Sequence, residues 1–206
     1  LDPRLRPYFL GARLIGIPKP DSGIRPVAIG EVFYKLAAMY ACSDEQLKKS
    51  LIAMLSAVGQ HGESPGGCEK VAVTIQALTT SSKAPMAVLS FDARNCFNEM
   101  DRKSIMQEVF KHDELVDIWP LVGWAYGVPS PLWVQDPSDG SLVARLSSEQ
   151  GVRQGDVLGS KLVCIALRPV LEELNKKFPN VRVLSIIDDV NLGGPPADLA
   201  QAARAV

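Results

Sequence analysis

The segment "VLSIIDDVNL", residues 183–192, places two adjacent aspartates inside an otherwise apolar run. The apolar neighbours predict burial in a strand–turn–strand hairpin, with Asp188 and Asp189 at the turn. Asp-Asp is a poor two-residue turn compared with Asn-Gly or Asp-Gly. Two unit charges about 4 Å apart also repel by roughly 4 kcal/mol at an effective dielectric near 20. The pair therefore indicates either a site where a cation offsets the repulsion or a solvated turn with incidental acids.

A third acid, Asp92, ends the short apolar run "APMAVLSFD", residues 84–92, which is bounded by turn residues and predicts a buried strand. A carboxylate between a strand and a following helix can hold an ion, and it can equally cap that helix. If this strand lies beside the hairpin, the three carboxylates can share divalent cations. Oxygen ligands with no His or Cys nearby favour a hard ion such as Mg²⁺ or Mn²⁺, which would suit phosphoryl transfer.

The chain has 206 residues, of which 47% are hydrophobic, and this is enough for one large domain or two small ones. Its net charge of −1 neither favours nor excludes a nucleic-acid partner. Four cysteines without a C-x-x-C pair, and only two histidines, argue against a zinc site and a disulfide framework. Without a signal peptide or an apolar run of about 18 residues, we expect an intracellular protein. The abrupt end of the chain inside a helical pattern predicts a fragment of a longer protein.

Alternating strand and helix patterns along the chain predict an α+β domain with a mainly antiparallel sheet. Ser43 and Gln46 have the spacing of a capping box at the start of a helix. The predicted strands lie within residues 12–30, 84–92, 131–148 and 181–194, and the predicted helices within residues 31–41, 43–58, 68–78, 101–112, 114–126 and 157–178.

Five motifs of this sequence, in this order and spacing, resemble those of reverse transcriptases. The resemblance to the palm of that family is carried by "FDARNCFN", "GVRQGDVLGS" and "IIDD". The resemblance to its fingers is carried by "RLIGIPKPDSGIRPVAIGEVFYKLAA" and "GQHGESPGG". Together the motifs span residues 12–194, and the R-N-x-F-N pattern at 94–98 is most similar to non-long-terminal-repeat (non-LTR) retrotransposons.

The resemblance implies a right-hand polymerase palm, an antiparallel sheet backed by helices, with a fingers subdomain and no thumb. It places the fingers at residues 1–84 and the palm at 85–206, with parts of 101–150 as candidate additions to the fingers. The implied activity is RNA-directed DNA polymerase, a nucleotidyltransferase. The implied partners are an RNA template, a DNA primer and a deoxynucleoside triphosphate (dNTP), with no membrane, and the remaining domains would belong to a parent polyprotein. For a retrotransposon protein we expect a nuclear location.

Carried over by position, Asp92, Asp188 and Asp189 match the metal-binding triad of the family, which binds two Mg²⁺ or Mn²⁺ ions. The backbone carbonyl of Ala93 would be a further ligand. The resemblance implies that Asp92 and Asp188 hold both ions, while Asp189 supports them more peripherally.

The resemblance also assigns residues to the substrates. Arg25 would lie over the triphosphate, where a planar charged fork suits phosphate oxygens, and Lys19 would add charge on the same face. Phe97 falls at the steric gate that excludes a ribose 2′-hydroxyl, although a core phenylalanine is the alternative. Gln154 and Gly155 match the family's Q-G motif at the template strand. The alternative is an ordinary loop leading into a helix that Asp156 caps, and the two interpretations are compatible.

Three positions depart from the family pattern: Ile186 replaces an aromatic residue, Val157 a proline and Cys96 an alanine. None of them removes a predicted metal ligand. Two alternatives stay open. An RNA-directed RNA polymerase has a similar layout, but it places an aspartate where this chain has Phe97. A catalytically inactive nucleic-acid-binding relic would keep the fold and lose the chemistry.

Overall fold

The computed structural model describes residues 3–20, 22–80 and 84–205. The chain forms two compact units, of which the first comprises Leu1–Leu47 with Asn95–Gly159 and the second Lys48–Arg94 with Ser160–Val206. These units are defined by packing, and the boundaries given above for fingers and palm stay a prediction. Within the described residues, no helix is long and apolar enough to cross a membrane.

The secondary structure mixes strands and helices throughout the chain. The strands are β1 Ala12–Pro18, β2 Ile24–Gly30, β3 Ala87–Asp92, β4 Ser130–Gln135, β5 Leu142–Ser148, β6 Arg182–Ile186 and β7 Asp189–Gly194. The α-helices are α1 Arg6–Leu10, α2 Val32–Ser43, α3 Glu45–Ser56, α4 Gly67–Thr80, α5 Cys96–Glu99, α6 Arg102–Val109, α7 Trp119–Tyr126, α8 Gly159–Lys177 and α9 Pro196–Ala202, with 3₁₀ segments at Pro3–Leu5 and Asp113–Ile118. The predicted α+β class is confirmed.

The first unit contains a four-stranded sheet in the order β2-β1-β4-β5. β1 and β2 form the predicted antiparallel hairpin, in which Ile17 lies opposite Arg25. The turn between them is closed by the N–H of Lys19, which donates to the Gly23 carbonyl at 2.8 Å. β4 runs parallel to β1 and antiparallel to β5.

Two helix starts in the first unit differ from the sequence-based expectation. Ser43 is the last residue of α2, where its hydroxyl donates to the Tyr40 carbonyl, and the cap of α3 is Asp44, which accepts the Leu47 N–H at 2.7 Å. The predicted helix 114–126 begins as a 3₁₀ segment and becomes α7 only at Trp119. Pro120 sits in the first turn of α7, a position that suits proline because no helical N–H is lost there.

The second unit contains a three-stranded antiparallel sheet in the order β3-β7-β6. One core cluster of this unit comprises Val58, Leu171, Leu174, Val181, Val183, Leu192, Leu199 and Ala202. The sheet therefore has a fixed apolar face, and this face sets the register of the hairpin between β6 and β7.

Candidate functional site

The hairpin between β6 and β7 turns one residue earlier than the sequence predicts. Ile186 pairs with Asp189 across the hairpin, so the turn residues are Ile187 and Asp188, and Asp189 begins β7. Ile187 has φ +54°, whereas Asp188 does not have a positive φ, so the first turn residue takes a conformation that hairpin turns usually give to glycine. A β-branched residue in the left-handed region is rare and costs on the order of 1–3 kcal/mol, so the surrounding structure must hold it in place.

The acid of the strand and the acids of the hairpin come together in the second unit. Asp92 at the end of β3 lies directly opposite Asp189 at the start of β7. Such partners face the same side of a sheet with Cβ atoms about 4.5–5.5 Å apart, and like charges at this spacing are destabilising. Asp188 lies on the adjoining turn. The predicted adjacency of the two strands is thus present.

The expected burial of the hairpin acids is wrong. Asp92 and Asp189 are exposed and Asp188 is half-buried, because the acids lie at the end of the sheet rather than over its apolar core. Partial desolvation, followed by the charges of Asp188 and Asp92, raises the pKa of Asp189 above its ordinary value. The three acids therefore interact electrostatically.

Among residues 3–20, 22–80 and 84–205, no group of three or more Asp, Glu, His or Cys side chains is arranged to hold a metal ion. The three acids form an opposed pair with a third on the turn, and mutual repulsion opposes a tighter cluster. Their donor atoms are nevertheless carboxylate oxygens alone, the set that Mg²⁺ and Mn²⁺ prefer. The residues fit such an ion, and their metal-binding role stays a prediction.

The alternative role for Asp92, as a helix cap, is not found. Asn95, with φ +50°, occupies the residue before α5, and no side chain caps that helix. Ala93 is exposed and directly follows β3.

The predicted substrate residues lie in the first unit. Arg25 is exposed on β2 and Lys19 is half-exposed at the turn before it. Phe97 lies half-buried in α5, and its carbonyl accepts the N–H of Val152 at 2.6 Å. The roles assigned to these residues stay predictions.

Gly155 of the predicted Q-G motif is required by its surroundings. It has φ +97°, and a Cβ there would lie 2.9 Å from the Ala28 carbonyl oxygen. The loop is pressed against β2, since the Ala28 N–H donates to the Gln154 carbonyl at 2.8 Å. A cavity of about 340 Å³ opens beside this loop, with Gln154, Pro26 and Asn98 among its lining residues.

A buried polar cluster lies beside the Q-G motif. Of its residues, only Asp156 was given a role from the sequence. This carboxylate accepts hydrogen bonds from the hydroxyls of Tyr34 and Tyr126, and it forms an ion pair with Arg153 at 2.9 Å. Its other oxygen accepts the Leu158 N–H at 2.9 Å, close to the helix-capping role considered from sequence. Burial, and then the charge of Asp156, raises the pKa of each tyrosine.

Gln60 is a second residue whose place the sequence does not reveal. It is fully buried, and its side-chain amide hydrogen-bonds both the N–H and the carbonyl of Ile187, each at 2.9 Å. In the sequence Gln60 lies within the segment 59–67, which carries part of the resemblance to the fingers of the family, but neither the motif nor the flanking glycines indicate a contact with the acidic turn.

Cys164 on α8 lies close to the acidic turn. Its sulfur interacts with the Ile187 backbone, and burial, followed by the charge of Glu63, raises the pKa of the thiol to about 12. This thiol therefore stays protonated at neutral pH.

Comparison with solved structures places the fold among right-hand polymerases. The apo telomerase of Candida tropicalis truncated from its C-terminal domain matches with a TM-score of 0.65 and 13% identity, over 97% of this chain and 46% of that one. The telomerase of Candida albicans in complex with a TWJ fragment of telomeric RNA matches with a TM-score of 0.66 and 14% identity, over 99% of this chain and 41% of that one. At these identities the likeness shows the fold alone.

The sequence then defines the family within that fold. Residues 17–204 match the family described as "Reverse transcriptase (RNA-dependent DNA polymerase)", and the chain belongs to this family of nucleotidyltransferases. It is also 30% identical over 189 residues to the "Retrotransposable element SLACS 132 kDa protein" of Trypanosoma brucei gambiense. That match covers 91% of this chain and 15% of the trypanosome protein. The predicted family and its likeness to non-LTR retrotransposon proteins are confirmed, and enzymes of this family generally use divalent metals.

Proposed function

We propose that this chain carries the catalytic centre for RNA-directed DNA synthesis on a DNA primer and an RNA template. The primer 3′-hydroxyl attacks the α-phosphate of a dNTP, so that an O3′–P bond forms and the bond to the bridging oxygen breaks. Pyrophosphate leaves, and the hydroxyl proton passes to solvent. The supporting observation is the opposed pair Asp92 and Asp189, with Asp188 on the adjoining turn, in a reverse transcriptase chain.

We assign metal binding to Asp92, Asp188 and Asp189, with the Ala93 carbonyl as a further ligand. Two bound Mg²⁺ or Mn²⁺ ions would supply activation of the hydroxyl and stabilisation of the leaving pyrophosphate. Asp92 and Asp188 would hold both ions, and Asp189 would support them more peripherally. Partial burial, and then the charges of Asp188 and Asp92, raise the pKa of Asp189, and a bound cation would relieve the repulsion among the three acids.

We assign the remaining contacts to residues of the first unit. Arg25 and Lys19 neutralise charge on the triphosphate, and Phe97 selects the sugar. Gln154 and Gly155 contact the template strand. Exposure of Arg25 and the cavity lined by Gln154 support these roles.

Asp188→Asn in the full-length protein should reduce metal-dependent DNA synthesis by at least about 100-fold, because it removes a carboxylate proposed to hold the ions that stabilise transition-state charge. The measurement is extension of a DNA primer on an RNA template with Mg²⁺ and dNTPs. Circular dichroism should show an unchanged fold, since Asp188 is only half-buried. Asp117→Asn, at an exposed acid of the first unit, is the matched control and should keep full activity. Retained synthesis by Asp188→Asn would defeat the assignment.

Phe97→Ala should let ribonucleotides into the product, because the ring would no longer exclude the 2′-hydroxyl. Primer extension with each nucleotide type measures the ratio of kcat/KM for deoxynucleotides and ribonucleotides. Phe110→Ala, at an exposed phenylalanine, is the control and should leave that ratio unchanged. Unchanged selectivity in Phe97→Ala would remove the gate role, and a wild-type preference for ribonucleotides would favour an RNA-directed RNA polymerase.

The inactive relic is the remaining alternative, and a binding experiment separates it from the polymerase. Titration of the chain with Mn²⁺ should show binding that is lost on Asp92→Asn. The absence of such binding, together with the absence of primer extension, would favour the relic. The nuclear location expected for a retrotransposon protein is part of the same proposal.

A further inference from the structure

The side-chain amide of Gln60 uses its whole hydrogen-bonding capacity around the acidic turn. Its Oε1 accepts the N–H groups of Ile187 and Gly62, both at 2.9 Å. Its Nε2 donates to the Ile187 carbonyl and to the Ser185 hydroxyl, also at 2.9 Å. Two donors and two acceptor sites are all that this amide possesses. A flipped amide would place donors against donors, so the network fixes its orientation.

The network reaches the backbone on both sides of Asp188. Gln60 holds residue 187 directly, on the N-terminal side. The Ser185 hydroxyl, which accepts from Gln60, donates in turn to the Asp189 carbonyl at 3.1 Å. Both Gln60 and Ser185 have no exposed surface, so water does not compete for these bonds.

The segment that carries Gln60 is itself fixed within the second unit. The Ser185 N–H donates to the Gly59 carbonyl, and the His61 N–H donates to the Ser185 carbonyl, each at 2.7 Å. Glu63 accepts the Ser160 hydroxyl and pairs with Lys161 at 2.9 Å. Gln60 therefore stands on a braced loop rather than on a mobile one.

We propose that Gln60 is a positioning residue, which fixes the strained turn and thereby sets where the Asp188 carboxylate meets metal and primer. The strain at Ile187 makes this bracing necessary, because an unsupported β-branched residue would leave its positive φ and carry Asp188 with it. The inference rests on the proposed function and names a residue that touches neither substrate nor metal.

The test replaces Gln60 by methionine, which has a similar length and no amide. In primer extension by the full-length protein, Gln60→Met should lower kcat by about 10- to 100-fold, since a displacement near 1 Å can cost about 100-fold. The KM for dNTP should change less than about 3-fold, because the predicted triphosphate contacts lie on other residues. Calorimetric titration of Gln60→Met with Mn²⁺ should show weaker binding than that of the wild type.

Two controls separate positioning from stability. Leu199→Ala removes a buried core side chain of the same unit and lowers stability without touching the turn. Gln76→Met makes the same chemical change at an exposed glutamine of α4. Both should keep wild-type Mn²⁺ affinity. The two variants are compared at an equal loss of unfolding free energy. If Gln60→Met then loses no more kcat or Mn²⁺ affinity than Leu199→Ala, the positioning role is wrong.

Gly62→Ala is a second variant in case Gln60→Met does not fold. A Cβ at this position would lie 2.8 Å from the Ile187 nitrogen, so it should push the turn while leaving the amide of Gln60 in place. The same pattern of reduced kcat and Mn²⁺ affinity supports the inference, and wild-type values for both contradict it. A wild-type protein that binds Mn²⁺ but does not extend primers would contradict the proposed function. It would not contradict the role of Gln60, because the Mn²⁺ affinities of wild type and variants can still be compared.

Discussion

Asp189 faces another carboxylate across the sheet, so its ionisation should weaken the fold. Its pKa is raised, and the native chain therefore holds the proton more tightly than the unfolded chain does. Stability should fall as the pH rises from the ordinary Asp pKa of about 3.9 through the raised native value. Asp189→Asn should remove this fall and add about 0.2–1 kcal/mol to the free energy of unfolding at pH 7, the range for exposed charge pairs.

Urea denaturation across this pH range measures the effect of Asp189→Asn. Asp117→Asn is the control, because that exposed acid lies in the other unit and has no carboxylate opposite it in a sheet. Added Mg²⁺ should stabilise the wild type more than Asp189→Asn. Parallel curves of stability against pH for the wild type and Asp189→Asn would contradict the proposed repulsion.

At the scale of single residues, the sequence predicts the acids better than it predicts their support. The juxtaposition of Asp92 with the hairpin acids is expected only if their strands are neighbours, which the family resemblance implies and the pairing of β3 with β7 bears out. The turn itself is misplaced by one residue, because no local pattern predicts a positive φ at Ile187. Gln60 could not be found from sequence, since its partners Ser185 and Ile187 lie more than a hundred residues away.

At the scale of elements, the loop that leads into α8 depends on one buried carboxylate. Asp156→Asn should lower the free energy of unfolding by about 3–5 kcal/mol, because it leaves the buried guanidinium of Arg153 without its charged partner. Tyr34→Phe removes only one of the hydrogen bonds to Asp156 and should cost about 1 kcal/mol. Chemical denaturation of both variants gives the comparison. Equal losses would mean that the ion pair contributes little.

The bounds of the helices show where local patterns succeed and fail. The apolar periodicity predicts the existence of α2, α3, α4 and α8. It does not predict that α2 extends to Ser43, which moves the cap of α3 to Asp44. Capping depends on which polar residue is left outside the preceding helix, and two adjacent candidates have almost the same sequence signature.

At the scale of the whole molecule, the sequence predicts the class of fold but not the pairing of its strands. A single mainly antiparallel sheet was expected, whereas the two units each contain a sheet, and β1 pairs with β4 in parallel. That contact joins Ala12 to Leu132, and alternating apolar residues carry no information about so distant a partner. The family resemblance implies a palm sheet and a fingers hairpin, but it did not predict the parallel pairing of β1 with β4.

Cys164 is buried beside the acidic turn, so the rate at which its thiol is labelled reports how often this part of the chain opens. Maleimides react with thiolates, so the exposed Cys68 should be modified quickly. Cys164 should be modified only after a local opening has exposed its sulfur to water. The difference between the labelling rates of Cys68 and Cys164 would therefore measure how often the structure around the turn opens. A ligand that stabilises the turn should slow the labelling of Cys164, and this effect could be measured without any nucleotide being incorporated.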